Sequence, residues 1–289
     1  MLLRCRSDNG REKVRMLSVF GALPSERRGY VDAGGGQVHY REMGAGPPVL
    51  LCHQAPWAAI QFHSVMPLLA AAGYRVIAPD LPGHGLSNPI DPPSVAGFAG
   101  VVPSLLDALG EARAALVGHH GGALIAGHAA AAFPDRAAAL ILDNAPLYTA
   151  EERVARRAQA GAAPASLAPD GGHFTDRWAL ARRFGDPEWS DATVHLSVLT
   201  YFVNGPSAEH GHIAGREHDF AADVSRIDCP TLVLAGRADP LYPMADRLAA
   251  LRPDWRRAEM PAGASMITDR AEEWATPVLD FLRDCWLPR

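Results

Sequence analysis

From about residue 28 the chain alternates short apolar runs with longer amphipathic stretches. Gly29 to Asp32 and Gln37 to Glu42 alternate apolar and polar residues around Gly34-Gly35-Gly36, which predicts an antiparallel hairpin. Val49-Leu50-Leu51-Cys52 is continuously apolar, the pattern of a strand buried on both faces. A helix is predicted over Ile60 to Ala72, with Gly73 as its C-cap. Tyr74 to Ala78 then reads as a strand, Val95 to Leu109 as a helix and Ala114 to Val117 as a strand. Leu124 to Phe133 reads as a helix and Ala137 to Leu142 as a strand. Such alternation predicts a mostly parallel sheet with helices on both faces.

The pattern changes between Leu147 and about Asp228. Helical stretches dominate there (Glu151 to Ala160, Phe174 to Phe184, Asp191 to Phe202), broken by Gly and Pro, which predicts an inserted helical cap. The core pattern resumes with a strand at Thr231 to Ala235, a helix at Met244 to Leu251 and a strand around Arg257 to Met260. The loop Pro261-Ala262-Gly263-Ala264-Ser265 and a last helix, Ala271 to Cys285, follow. The expected division is a disordered polar extension at 1–15, a core at 16–146 and 229–289, and a cap at 147–228. Met16 is an alternative start, and the first residues lack the apolar core of a secretory signal.

Composition narrows the partners. A formal net charge of −5 over 289 residues, with no basic block, argues against nucleic acid. No apolar run reaches membrane-spanning length. The four cysteines, Cys5, Cys52, Cys229 and Cys285, show no metal or redox spacing, which points to reduced thiols and a cytoplasmic location. His210, His212 and His218 match no standard metal spacing and are expected on a solvated loop. The expected partner is a small-molecule substrate, and oligomeric state is not legible.

The chemistry concentrates at Leu116-Val117-Gly118-His119-His120-Gly121-Gly122-Ala123. Strand, Gly-x-X-x-Gly, helix is the context of a nucleophile elbow, where X is normally Ser, Cys or Asp. The turn is tight enough to require nearly side-chain-free residues two before and two after X, and Gly118 and Gly122 meet that need. Here X is His120.

Four pieces in order carry a family resemblance. They are His53-Gln54-Ala55-Pro56, Asp80-Leu81-Pro82-Gly83-His84-Gly85-Leu86-Ser87, the elbow, and Gly236-Arg237-Ala238-Asp239-Pro240. With them the chain resembles the α/β-hydrolase superfamily over roughly Arg28 to Leu282. It is similar to the capped branch of epoxide hydrolases, haloalkane dehalogenases, meta-cleavage-product hydrolases and proline iminopeptidases. The resemblance implies an α/β-hydrolase fold: a mostly parallel eight-stranded sheet flanked by helices, with the cap inserted. It implies an acid at Asp239, and it implies no metal and no organic cofactor. It implies oxyanion donors at the backbone of Gly121 and in the loop after Cys52, at Ala55 or Gln54.

The sequence departs from that pattern at the triad. His120 replaces the nucleophile, Ala264 stands where the triad histidine belongs, and no histidine follows His218. Nucleophile and base normally touch. The imidazole at His120 is therefore expected to occupy the room left at Ala264 and to pair with Asp239. Asp143 is an alternative acid whose plainer role is to cap its own loop. His53, His84 and Asp80 are expected to be structural. Trp57, His119, His173, Trp178 and Tyr201 are the expected substrate contacts, with Trp189 and His195 as further cavity positions; for His119 a packed structural role is the plainer reading.

Three functions remain open on this reading. The first is hydrolysis of a small carboxylic ester or lactone by water activated at the His120–Asp239 pair. The second is isomerase or lyase chemistry by proton transfer beside a carbonyl. The third is ligand binding by a catalytically inactive member.

Overall fold

The computed structural model describes residues 23, 25–33, 35–158 and 167–287. The expected extension at 1–15, the alternative start Met16, Cys5, Gly34 and the end of the helix expected over Glu151 to Ala160 lie outside the described residues.

Eight strands form one sheet in the order β1-β2-β4-β3-β5-β6-β7-β8. The strands are β1 (Arg27–Asp32), β2 (Gln37–Met43), β3 (Pro48–Cys52), β4 (Arg75–Pro79), β5 (Ala114–His119), β6 (Ala137–Asp143), β7 (Thr231–Gly236) and β8 (Arg256–Met260). The first two form the expected hairpin, and β2 runs antiparallel to β4. All later pairings are parallel. Each central strand sends alternate side chains to opposite faces. In β5, Leu116 joins the core on one face and Val117 the core on the other; Leu142 and Ile141 do the same in β6.

One face is covered by α2 (Val95–Ala99), α3 (Val101–Ala108) and α4 (Gly121–Ala132). The other carries α1 (Met66–Ala71) and, near the C-terminus, α11 (Ser265–Thr268) and α12 (Ala271–Cys285). Between β6 and β7 the chain runs through α5 (Ala150–Ala158), α6 (Gly172–Phe184), α7 (Asp191–Asn204), α8 (His210–Glu217) and α9 (Phe220–Val224). Between β7 and β8 lies α10 (Tyr242–Leu251).

Two expected helices are shorter than their patterns. The stretch Ile60 to Ala72 is a 3₁₀ turn at Ala59–Phe62 followed by α1. Pro67, in the first turn of α1, has no N–H to give to His63, so the helix cannot run through it. Val95 to Leu109 splits at Gly100 into α2 and α3, because Pro103 has no N–H for the Ala99 carbonyl. The segment holding His210, His212 and His218 is not the loop expected. It contains α8 and α9, whose Ala214 and Phe220 are buried in the same core as α4. That burial overrides a polar, glycine-containing local sequence.

Tight packing around the elbow fixes the site. A Cβ on Gly122 would be driven into the Cys52 carbonyl, and one on Gly118 into the Gly122 carbonyl. Both obstacles are backbone, which cannot swing aside. A Gly122→Ala variant should lose about 3 kcal/mol or more of unfolding free energy in chemical denaturation, the upper range for overpacking. The same change at Gly110, whose Cβ would meet nothing, carries only the strain of its positive φ.

Candidate active site

The sharp turn between β5 and α4 places His120 at φ 49°, ψ −118°, a strained conformation for a residue with a side chain. Its N–H donates to the Asp143 carbonyl at 2.9 Å, and its carbonyl accepts the Ala123 N–H at 2.9 Å. The turn lifts the imidazole off the sheet. Asp239 arrives on the loop after β7, where its N–H donates to the Gly236 carbonyl and its Oδ1 accepts the Leu241 N–H at 2.8 Å. Its other oxygen, Oδ2, lies 2.7 Å from His120 Nε2. Nε2–H therefore donates to the carboxylate, and Nδ1 is left as the ring's acceptor.

A second pair lies beneath the first. The His119 ring stacks on His120 with centroids 4.1 Å apart and planes 16° from parallel. His119 Nδ1 is 3.0 Å from Asp143 Oδ2, and that oxygen accepts Trp274 Nε1–H at 2.8 Å. The Asp143 Oδ1 accepts Asn144 Nδ2–H at 3.0 Å. Both His119 and Asp143 are about 1% exposed.

Burial and charge act differently on the two rings. Burial dominates at His119 and, with the neighbouring His120, holds its pKa below the ordinary imidazole value. At His120 burial also pushes down, but the Asp239 carboxylate outweighs it and raises the pKa. Burial would raise the Asp239 carboxyl, yet the facing imidazole lowers it. His120 is thus the ring that charges, and His119 stays neutral under it.

His120, Asp239 and Ala264 line one cavity of about 440 Å³. Gln54, Ala55 and Trp57 contribute from the loop after β3. From the segment between β6 and β7 come Arg177 and Ala181 on α6, Asp186 and Trp189 in the loop before α7, and Glu209 just before α8. Trp57 packs edge-on against Trp189, with centroids 5.6 Å apart. Asp186 accepts the Ser265 N–H at 2.9 Å and so clamps the Ala264 loop from above.

Among the described residues, the backbone N–H groups of Gly121 and Ala55 are not spent on a hydrogen bond. The expected donor Gln54 is corrected: its N–H goes to Gln61 Oε1 at 3.0 Å, and only its side chain remains for the cavity.

Four expected substrate contacts are also corrected. His119 lies behind His120. His173 accepts the Ala168 N–H and packs on Phe174 and Phe202. Trp178 packs in the cluster around Trp189. Tyr201 lies under the Arg177 guanidinium, 3.8 Å from ring to Cζ. His195 is likewise absent from the cavity lining, while Trp57 and Trp189 are present. Helical spacing alone could not say which face of α6 or α7 met the cavity. Arg177, Asp186 and Glu209 were missed because nothing local distinguishes them from surface charges.

The loop residues expected to be structural hold their loops. His53 Nδ1–H donates to the Gln54 carbonyl and Nε2 accepts the Leu81 N–H; burial lowers its pKa to about 4. Asp80 accepts N–H groups from Ala59 and Leu86 and pairs with His39. His84 bonds the Pro82 carbonyl, and burial lowers its pKa to about 3.

Residues 47–263 match the family described as alpha/beta hydrolase fold. The chain belongs to this family. An epoxide hydrolase of Caballeronia sordidicola is 34% identical over 178 residues, covering 60% of this chain and 51% of that protein. The chain thus spans about half the length of that curated relative. Among solved structures, epoxide hydrolase A of Mycobacterium thermoresistibile superposes with a TM-score of 0.73 at 21% identity, over 91% of this chain and 99% of that one. The enol-lactonase of Burkholderia xenovorans LB400 gives 0.69 at 23% identity, over 88% and 99%. These two likenesses show the shared fold. No described helix is long and apolar enough to cross a membrane.

The pair makes a titration prediction. In NMR, His120 should titrate above the ordinary imidazole pKa of about 6.5, and Asp239→Asn should move it down. A raised folded-state pKa adds stability that is fully present below pH ~6.5 and is lost as pH rises through the folded value. Asp239→Asn should flatten that slope in denaturation measured across the same range.

Proposed function

We propose that this protein is a hydrolase of small carboxylic esters or lactones in which water, not a side chain, attacks the substrate. The observation that carries this reading is the 2.7 Å His120–Asp239 pair at the elbow, opening on the cavity where the family's nucleophile would stand. Asp239 orients the ring through Nε2–H, and Nδ1 takes a proton from water. The resulting hydroxide adds to the carbonyl carbon. The Gly121 and Ala55 N–H groups hold the oxyanion, a role suited to preorganised backbone donors. The intermediate collapses, the C–O bond to the leaving alcohol breaks, and the imidazolium returns its proton to that oxygen.

Two features favour this over direct attack by His120. An acyl-imidazole would need a second base to hydrolyse it, and the adjacent His119 is buried beneath the ring. Backbone donors aimed at an oxyanion also suit a carbonyl better than an epoxide, whose opening needs a proton delivered to the ring oxygen. The expected small-molecule partner fits a cavity of this size. Reduced thiols, and a cytoplasmic location with them, remain proposals: Cys52 is buried with its pKa pushed up to about 12, and Cys52, Cys229 and Cys285 are free.

Turnover of p-nitrophenyl acetate and a panel of small lactones tests the reading. His120→Ala should cut kcat/KM about 10²–10⁴-fold, the usual worth of a positioned base. Rapid-quench mass spectrometry during the first turnover should find no acylated protein. Protein that carries the acyl group, or full activity in His120→Ala, would overturn it. The rate should fall as pH drops below the raised His120 pKa, because the imidazolium cannot accept a proton.

A further inference from the structure

Two turns beyond the elbow, His128 faces away from the dyad toward the end of the inserted segment. Its Nδ1 lies 2.9 Å from Asp223 Oδ2 on α9. The same oxygen lies 2.6 Å from Nε2 of His218, just before α9. The two rings stand edge to face, 5.2 Å between centroids and 81° between planes. The three donor atoms lie within 4.8 Å of one another. Asp223 Oδ1 turns the other way, to Arg226 at 2.5 Å.

Two imidazoles and one carboxylate make a donor set that suits a late first-row divalent cation over calcium or magnesium, which prefer oxygen. Bond lengths of roughly 2.0–2.2 Å to zinc put tetrahedral ligand atoms about 3.3 Å apart. The two observed imidazole–carboxylate separations, 2.9 and 2.6 Å, need to open by about 0.4 and 0.7 Å to reach that spacing. The Asp223 side chain is 3% exposed, while the imidazoles are 18% and 15% exposed. A water can therefore complete the sphere. Burial would raise the Asp223 carboxyl, but the two imidazoles override it and hold it well below the usual carboxylate range. No carboxyl proton has to be displaced.

We propose that His128, His218 and Asp223 form a binding site for a divalent cation of the zinc type, separate from the His120–Asp239 pair. The sequence expectation of no metal drew on the family resemblance, on the scattered cysteines and on the spacing of His210, His212 and His218. The structure separates that trio: His212 bonds Glu209, and His218 joins a histidine ninety residues earlier in the chain. Binding needs the lone pair of the nitrogen that faces Asp223, Nδ1 in His128 and Nε2 in His218, so the proton on each passes to the ring's other nitrogen or to solvent. The cation replaces the two hydrogen bonds to Asp223. It would staple α9 to α4, the helix that begins at Gly121, and so fix the return of the inserted segment to the core.

Equilibrium dialysis of the full chain against Zn²⁺ at pH 7.5, after stripping with EDTA, tests this. One tight equivalent is expected. His128→Gln and His218→Gln should lose it, since Gln can still donate to Asp223 but removes an imidazole. His212→Gln should keep it. Circular dichroism checks folding. As an independent variant, exposed Arg226→Gln removes a cation next to the carboxylate and should tighten Zn²⁺ several-fold. No stoichiometric binding, binding that survives both His128→Gln and His218→Gln, or an affinity indifferent to Arg226→Gln would overturn the proposal.

Discussion

The turn at His120 is the constraint on which the site depends. A chain leaving β5 and entering α4 within one residue forces that residue to positive φ, at a cost of about 1–3 kcal/mol. The cost is met by close backbone contact on both sides of the turn, which is possible only because Gly118 and Gly122 carry no Cβ. The same turn leaves the Gly121 N–H at the start of α4 and lifts the side chain of His120 toward the loops after β7 and β8. Which side chain stands there is chemically open. That it must stand there is set by the backbone.

An imidazole at this position needs a partner on one side and a neutral neighbour on the other. Asp239 supplies the first at Nε2. His119 supplies the second, because burial, with the adjacent His120 ring, keeps it below its ordinary pKa against the upward pull of Asp143. Two stacked imidazoles sharing a low-dielectric site could not both charge without mutual repulsion. The fold divides the work by exposure: the inner His119–Asp143 pair is sealed, and the outer His120–Asp239 pair borders the cavity. Asp143, the other acid position suggested by the sequence, is spent on that inner layer.

Much of this was legible before any coordinates. Strand positions followed from continuous apolar runs, because parallel strands bury both faces. The elbow followed from two glycines at fixed spacing, and the acid from Gly236-Arg237-Ala238-Asp239-Pro240. The pairing of His120 with Asp239 followed from a loss at Ala264 and a gain at His120 in loops that meet. What the pattern did not carry was orientation on the inserted helices. His173, Trp178 and Tyr201 repeat at spacings compatible with several faces, and only packing chooses among them. Prolines 67 and 103 broke helices whose hydrophobic period ran straight through them. His128 drew no attention, because its partners are remote in sequence and meet it only through the packing of α9 on α4.

The inserted segment matters to the chemistry beyond supplying cavity walls. Asn204, at the end of α7, donates to the Pro56 carbonyl at 2.6 Å and accepts the Gly85 N–H at 2.8 Å. It thereby ties the loop carrying Ala55 to the loop carrying His84. Asp186 fixes the backbone at Ser265, and Gly263 must be bare because a Cβ would crowd Asp186 Oδ2 and Asp239. The loops holding Ala55, Asp239 and Ala264 are therefore all braced by hydrogen bonds or close packing, two of them from the insertion itself. A base that activates water depends more on such bracing than a covalent nucleophile does, since the attacking oxygen is not bonded to the protein and must be positioned by the cavity alone. On the proposed water-attack reading, the demand for precision passes from one side chain to the walls around it.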